Sequence, residues 1–373
     1  MTSSWTWSTV GMPVFVDTPA SGRQINNTTM SENRTEISSL GEFGLIEHLT
    51  ANIEIKNVST LVGVGDDAAV IDHFGKQTVV TTDLLIEEVH FDLLYTPLQH
   101  LGYKSVVVNL SDVYAMNATP TQITVSMGIS NRFSVEALDE FYEGVYAACD
   151  HYGVDLVGGD TASSKKGFVI SVTALGEVTP NRFVKRSTAQ KGDLLCCTGD
   201  LGAAYLGLII LEREKKIFLE SPNVKADLEN EKYVIGRLLK PEARKDIIEF
   251  FEQSDVLPSA MMDISDGLSS EILHICRQSG LGCVLYEDKI PIAEDTRNAA
   301  YKFELDPTAC ALSGGEDYEL LFTVSQADYD KLVLNEQISV IGYMTEADQG
   351  TKIITKGGNT FDITAQGWNA FAS

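Results

Sequence analysis

Basic residues are scarce in this 373-residue chain: 28 Lys and Arg stand against 53 Asp and Glu, a formal net charge of −25. Such a surface repels phosphate backbones and anionic lipid, because nucleic-acid binding rests on neutralising phosphates with Lys and Arg. Neither a nucleic-acid nor a membrane partner is expected. No apolar run reaches the roughly 18 to 20 residues that cross a bilayer, and the first residues lack the basic and apolar regions of a secretory signal. The six cysteines, Cys149, Cys196, Cys197, Cys276, Cys283 and Cys310, lie in apolar stretches without a CxxC pair, which disfavours a disulfide framework or a zinc knuckle. A GxxxxGK[ST] loop, a kinase catalytic loop and a GxSxG elbow are also missing. These absences predict a soluble cytoplasmic protein in which any phosphoryl transfer uses another scaffold.

What is present is ordinary globular material, 44% hydrophobic and 22% charged, and the length favours two domains. Residues 1–37 are expected to be a flexible leader or the product of a misplaced start. Met1 to Met30 is rich in Ser, Thr and Asn with no sustained period, and the folded unit is expected to begin near Ser38. After Leu40 strand and helix patterns alternate, which predicts a mixed α/β fold. A turn at Thr179-Pro180-Asn181 divides an N-terminal domain, 38–179, from a C-terminal α/β domain, 180–373.

In the first block, Leu45 to Leu49 reads as a short helix, Lys76 to Leu85 as a strand and Leu98 to Met116 as a helix. Gln122 to Ile129 follows as a strand. Ser134 is placed to cap a helix that Gly153 stops, and Phe168 to Ala174 alternates as a strand. In the second block, Leu194 to Thr198, Met261 to Ile264 and Glu319 to Val324 read as strands, and Leu201 to Glu212 and Leu268 to Arg277 as helices. The charged stretch from Glu212 to Tyr233 reads as a solvated face. Asn109-Leu110-Ser111-Asp112 and Asp263-Ile264-Ser265-Asp266 echo one another, by duplication or by chance.

Six acidic motifs sit beside glycines or at element ends: Gly65-Asp66-Asp67, Thr81-Thr82-Asp83, Leu110-Ser111-Asp112, Gly158-Gly159-Asp160-Thr161, Asp263-Ile264-Ser265-Asp266-Gly267 and Gly314-Gly315-Glu316-Asp317. If they converge they need a shared cation, because two carboxylates about 4 Å apart repel by roughly 4 kcal/mol at an effective dielectric near 20. Asp, Glu, Ser and Thr oxygens suit Mg²⁺ or Ca²⁺ better than zinc or copper, and Mg²⁺ typically bridges a few carboxylates to phosphates.

Each motif also has a plainer reading. Asp66 and Asp67 are turn residues or, with only Asp67 aimed inward in an extended segment, a metal ligand. Strand parity puts Thr81 and Asp83 on one face and leaves Thr82 its carbonyl, or the whole strand end faces solvent. Asp112 is either a helix-surface acid or a ligand. Gly158 and Gly159 either form a plain turn or bring backbone N–H groups close to a phosphate at the end of a short strand. Asp263 and Ser265 share a parity, and Asp266 either caps the following helix or binds a cation. His90 is structural or catalytic, and Arg186, beside Lys185, is a surface charge or a polyphosphate partner.

Taken together and in order, these motifs resemble the thiamine-monophosphate kinase family, within the aminoimidazole-ribonucleotide synthetase superfamily of ATP-using enzymes. The resemblance runs from Gly41-Glu42-Phe43 to Trp368. It implies a two-domain α/β fold whose N-terminal domain binds ATP and Mg²⁺ and forms a homodimer, the N-terminal sheets joining in a barrel across the dimer. It implies that Asp67, Thr81, Thr82, Asp83, Asp112, Asp160, Asp263 and Asp266 bind several Mg²⁺ ions. Gly159, Asp160, Arg186 and Ser265 would contact ATP, with Tyr142 near the adenine, and His90, Glu316 and Trp368 would contact thiamine monophosphate.

The same superfamily includes enzymes that need a reactive Cys or selenocysteine near the N-terminus, or a functional Cys at the C-terminus. Here no cysteine precedes Cys149, and the chain ends Trp368-Asn369-Ala370-Phe371-Ala372-Ser373. That leaves the kinase and, less well matched, the purine-pathway synthetase. The implied reaction turns ATP and thiamine monophosphate into ADP and thiamine diphosphate, with Asp83, Asp160 and Arg186 as its central residues. A phosphate monoester has a second pKa near 6, so its attacking oxygen is already anionic and no general base is required. The competing class is a non-enzymatic acidic protein that binds Ca²⁺ or a partner through the same carboxylates, for which no EF-hand spacing speaks.

Overall fold

In the computed structural model the described residues are 35, 48–62, 70–224 and 228–364, so the leader apart from Thr35, and Gly41-Glu42-Phe43, Asp67 and Trp368, lie outside them. Two sheets organise these residues. The first block runs β1 (Thr60–Val62), β2 (Val70–Ile71), β3 (Gln77–Ile86), α1 (Leu98–Ala115), β4 (Thr119–Ile129), α2 (Val135–Tyr152), β5 (Asp155–Ser163) and β6 (Val169–Val178). Strands β1 and β2 pair with each other, and the rest form a four-stranded sheet in the order β3-β6-β4-β5. β4 and β5 are parallel, which requires the crossover that α2 supplies; the other pairings are antiparallel. Ser134 caps α2 by accepting from the Ala137 N–H at 3.3 Å, and Gly153 ends it in the left-handed region at φ 72°.

Helix α1 is the central element. Leu101, Val106, Val107, Leu110 and Val113 are buried, and so are Ser105, Asn109 and Ser111. A helix buried nearly all round lies inside a fold, not upon it. It packs on β3 and β6, on α2, and on β8 of the second block.

That second block contains β7 (Leu194–Thr198), α3 (Ala203–Glu220), α4 (Lys232–Leu239), α5 (Lys245–Ser254), β8 (Ala260–Asp263), α6 (Leu268–Ser279), β9 (Leu281–Tyr286), α7 (Glu294–Lys302), α8 (Pro307–Ser313), β10 (Leu320–Val324), β11 (Ile338–Glu346), β12 (Thr351–Ile354) and β13 (Thr360–Asp362). Its seven-stranded sheet has the order β13-β12-β9-β11-β7-β10-β8, with only β12 and β9 parallel. The buried strand β10, all apolar except Thr323, lies between β7 and β8. Among the described residues no helix is long and apolar enough to cross a membrane.

Two elements differ from their sequence pattern. The helix expected to stop at Glu212 continues to Glu220, because Glu212 to Lys215 are helix formers whose charges pair along the surface, Lys215 reaching Glu212 at 3.7 Å. The Gly158-Gly159-Asp160-Thr161 segment does not end a strand; it lies inside β5, paired with Thr124 to Met127 of β4. Gly159 belongs there because a Cβ would stand 1.9 Å from the Val125 carbonyl oxygen, a distance no side chain tolerates.

Candidate active site

β3 meets α1 through one side chain and one backbone group. Thr81 Oγ1 donates to Asp112 Oδ2 at 2.7 Å, and the Asp83 N–H donates to the buried Asn109 Oδ1 at 2.9 Å. Thr82 points to the other face, donating to the Val172 carbonyl of β6 at 3.0 Å. One turn of α1 therefore holds two residues of β3, Asn109 the backbone of Asp83 and Asp112 the hydroxyl of Thr81. From the same turn, Ser111 Oγ donates to Asp263 Oδ2 at 2.7 Å, drawing in the end of β8.

These carboxylates act on one another. Burial, with Asp112 and Glu316 nearby, pushes Asp83 up to about 6. Burial and then Asp112 push Asp263 up to about 7, against the opposing pull of Ser111 and Arg186. Asp112 is raised by burial and opposed by its Thr81 bond and by Arg186. Asp266 is likewise raised by burial and by Glu316, and opposed by His274 and Arg186. The Arg186 guanidinium thus lies near enough to Asp112, Asp263 and Asp266 to oppose these shifts.

Asp266 does not cap α6. The N-cap is Gly267, at φ 121° with no side-chain bond, and the Asp266 N–H instead donates to Glu271 Oε1 at 3.0 Å. Turned inward by this bond, the Asp266 backbone leaves its carboxylate free of helix duty. Glu271 is buried, its carboxyl pushed up to about 8, and Oε2 has no hydrogen-bond partner. Sequence reading missed Asn109, Lys104 and Glu271 as site residues. The available signal was a Lys, an Asn and a Glu in otherwise apolar helical patterns.

Glu316 joins the group from the loop before β10. It accepts from the buried Lys104 ammonium and from the Tyr318 hydroxyl at 3.2 Å, and its N–H donates to the Ser265 carbonyl at 2.8 Å. His90, Asp160 and Tyr142 stand apart from this cluster. His90 is exposed and accepts the Ile86 N–H on Nδ1 at 3.0 Å. Asp160 and Gly159 are exposed on β5, the opposite edge of the sheet from Asp83 on β3. Tyr142 is buried in the first core with its ring against Phe141 and Tyr146.

Among the described residues, no three His, Cys, Asp or Glu side chains form a group that could hold a metal ion. The donors nonetheless fit a hard cation. They are carboxylate and hydroxyl oxygens, and acids raised by burial and mutual repulsion regain their charge when positive charge arrives. A cation that keeps several waters and takes phosphate oxygens needs only one or two carboxylates.

Comparison with known proteins covers both blocks. A model described as the AIR synthase related protein N-terminal domain matches residues 65–178, and the corresponding C-terminal domain model matches 190–354. A thiamine-monophosphate kinase of Bacillus subtilis is 32% identical over 341 residues, spanning 89% of this chain and 100% of its own. The enzyme of that name from Aquifex aeolicus is 33% identical over 329 residues, 87% of this chain and 99% of its own. A solved structure described as AaThiL complexed with AMPPCP and TMP superposes with a TM-score of 0.70 at 31% identity, covering 92% of this chain and 100% of its own. The hydrogenase maturation protein HypE in complex with ATP, at 17% identity and a TM-score of 0.68 over 86% of this chain and 94% of its own, shares the fold.

Proposed function

The chain belongs to the thiamine-monophosphate kinase family of AIR synthase-related proteins, and we propose that it transfers the γ-phosphoryl group of ATP directly to the phosphate of thiamine monophosphate, giving thiamine diphosphate and ADP. One observation carries this reading beyond the likeness: Asp112 and Asp83 act on Asp263, Asp112 and Glu316 on Asp83, and Glu316 on Asp266, beside the Ser111–Asp263 bond that joins α1 to β8. Such an acidic site admits a polyphosphate only together with cations.

Mg²⁺ would be held by Asp83, Asp112, Asp263 and Asp266, with Thr81, the Thr82 carbonyl, Asp67 and Asp160 as further ligands; it supplies neutralisation of phosphate charge. The chain's own groups do the rest. Arg186, near Asp112, Asp263 and Asp266, would stabilise charge on the transferred group, and Ser265 and Gly159 would offer a hydroxyl and a backbone N–H to ATP. In this reading Glu316, His90 and Trp368 would contact the acceptor, and Tyr142 would back the adenine side from within the first core. The acceptor oxygen is an anion near pH 7, since the second pKa of a phosphate monoester is about 6. Transfer therefore needs alignment of two anions and no proton abstraction.

A homodimer completes the site in this reading. The face of β3 turned away from α1 leaves Val80 at 64% and Leu84 at 50% exposed, a surface suited to a second sheet. Asp83 and Asp160 lie on opposite edge strands, β3 and β5. Joining the β5 edge of one copy to the β3 edge of another closes a barrel and brings the two acids together.

The test is ADP release from ATP with thiamine monophosphate, with free thiamine, and with a purine-pathway ribonucleotide. Turnover with thiamine monophosphate alone is expected; equal turnover with the ribonucleotide, or none with any acceptor, overturns the proposal. Calorimetry with ATP should show binding that is lost when Mg²⁺ is chelated. The Ca²⁺-binding alternative predicts metal binding without nucleotide binding.

A further inference from the structure

We propose that Lys104 is a positioning residue that holds the Glu316 carboxylate in place for the cationic ring of the phosphate acceptor, an inference that rests on the kinase reading. Lys104 is the only lysine buried among the described residues, at 4% exposure in α1. An ammonium in such a place is uncommon and has to be fully partnered. Its Nζ donates to Glu316 Oε2 and, at 3.1 Å, to the Leu238 carbonyl in the last turn of α4. The first block thereby grips two separate segments of the second.

Glu316 is held on every side but one. Its φ is +62°, between Gly315 at +71° and, two residues on, Tyr318 at +52°. Side chains rarely adopt this region, and such strain persists only where the surroundings over-determine it. Here they do. The Glu316 N–H donates to the Ser265 carbonyl at 2.8 Å, the Tyr318 N–H to the Ile264 carbonyl at 2.9 Å, and the Tyr318 hydroxyl to Glu316 Oε1 at 3.2 Å. A Cβ on Gly315 would meet the Ser265 carbonyl oxygen at 2.5 Å, so the loop lies flat on the Ile264-Ser265-Asp266 turn.

Even so, 32% of the Glu316 side chain remains exposed. A fixed, partly open carboxylate beside a row of acids is suited to a cation. Of the two substrates, thiamine monophosphate carries an organic cation, its thiazolium, whereas ATP brings only Mg²⁺, which the kinase reading gives to the four aspartates; Lys104 already supplies Glu316 with one full charge, which suits it to a diffuse ring cation. Losing Lys104 should therefore weaken the acceptor and spare the nucleotide.

In the full-length protein, Lys104→Met is expected to raise the KM for thiamine monophosphate roughly tenfold while that for ATP stays within about twofold. Lys104→Arg, which keeps the charge but not the compact geometry, should recover part of the loss. The Lys104→Met/Glu316→Gln double variant should be no worse than the poorer single variant, as for two groups that act as a unit. Equal rises in both KM values, no rise in either, or additive losses in the double variant overturn the inference. If Lys104→Met alone does not fold because Glu316 is left unpaired, Lys104→Arg, which keeps the charge and the Glu316 carboxylate, decides by the same split between the two KM values. A wild-type protein inactive with thiamine monophosphate would remove the kinase reading itself; an active wild type whose variants show no split removes only the role of Lys104.

Discussion

Ser111 Oγ and Asp263 Oδ2 meet at 2.7 Å, and this bond ties the central helix of the first sheet to the last residue of a strand in the second. Ser111→Ala removes the one donor that favours the ionised form of a buried carboxyl. Loss of a hydrogen bond to such a group costs about 1–3 kcal/mol. Urea unfolding should show that cost, and show it larger at pH 8 than at pH 6, because the bond serves the carboxylate. An equal cost at both values would mean that Asp263 is already fully ionised.

Asp266→Asn separates a cap from a ligand. Gly267 holds the N-cap position without a side-chain bond, so the substitution should leave the unfolding free energy within about 0.5 kcal/mol of wild type. Turnover should fall roughly a hundredfold, the scale on which an aligned electrostatic contact acts. A stable variant with wild-type turnover would remove Asp266 from the site.

Glu271 predicts a pH dependence. Its folded value is raised to about 8, against about 4.3 in an unfolded chain. Between those values the folded protein binds a proton that the unfolded chain does not, so its stabilising contribution is complete below about pH 4.3 and is lost as pH rises through 8. The slope is at most about 1.4 kcal/mol per pH unit. Glu271→Gln keeps an acceptor for the Asp266 N–H and removes the titration. Its stability should gain on wild type steadily from pH 6 to pH 8 in denaturant titrations; parallel curves would contradict the assignment.

The proposed barrel makes an activity test possible. Asp83→Ala and Asp160→Ala should each abolish turnover while the chain stays folded. If each site takes Asp83 from one copy and Asp160 from the other, unfolding and refolding the two variants together leaves one intact site in each mixed dimer. Roughly a quarter of wild-type activity should return, since half the dimers are mixed. No recovery, with mixed dimers shown to form, would place both acids in one copy's site or in none.

Periodicity made most elements legible, because their local and global preferences agree. Ser134 and Gly153 mark the true ends of α2, and the alternation in β3 places Thr81 and Asp83 on one face with Thr82 on the other. Where the pattern misled, packing decided. Gly158-Gly159 looks like a turn by composition, yet the pair continues β5, where the Val125 backbone comes too close to Gly159 for a side chain. Asp266 looks like a cap, yet a buried Glu five residues on takes its N–H.

The order of acidic motifs along the chain was enough to suggest the family and a phosphate-handling chemistry, since those depend on residue types that local sequence displays. Which acids share a charge field was settled only by the tertiary structure, because that depends on distances between segments far apart in the chain. So was the burial of Lys104 against Glu316, 212 residues away: nothing in an amphipathic pattern says what a lysine on a fully buried helix will find opposite it.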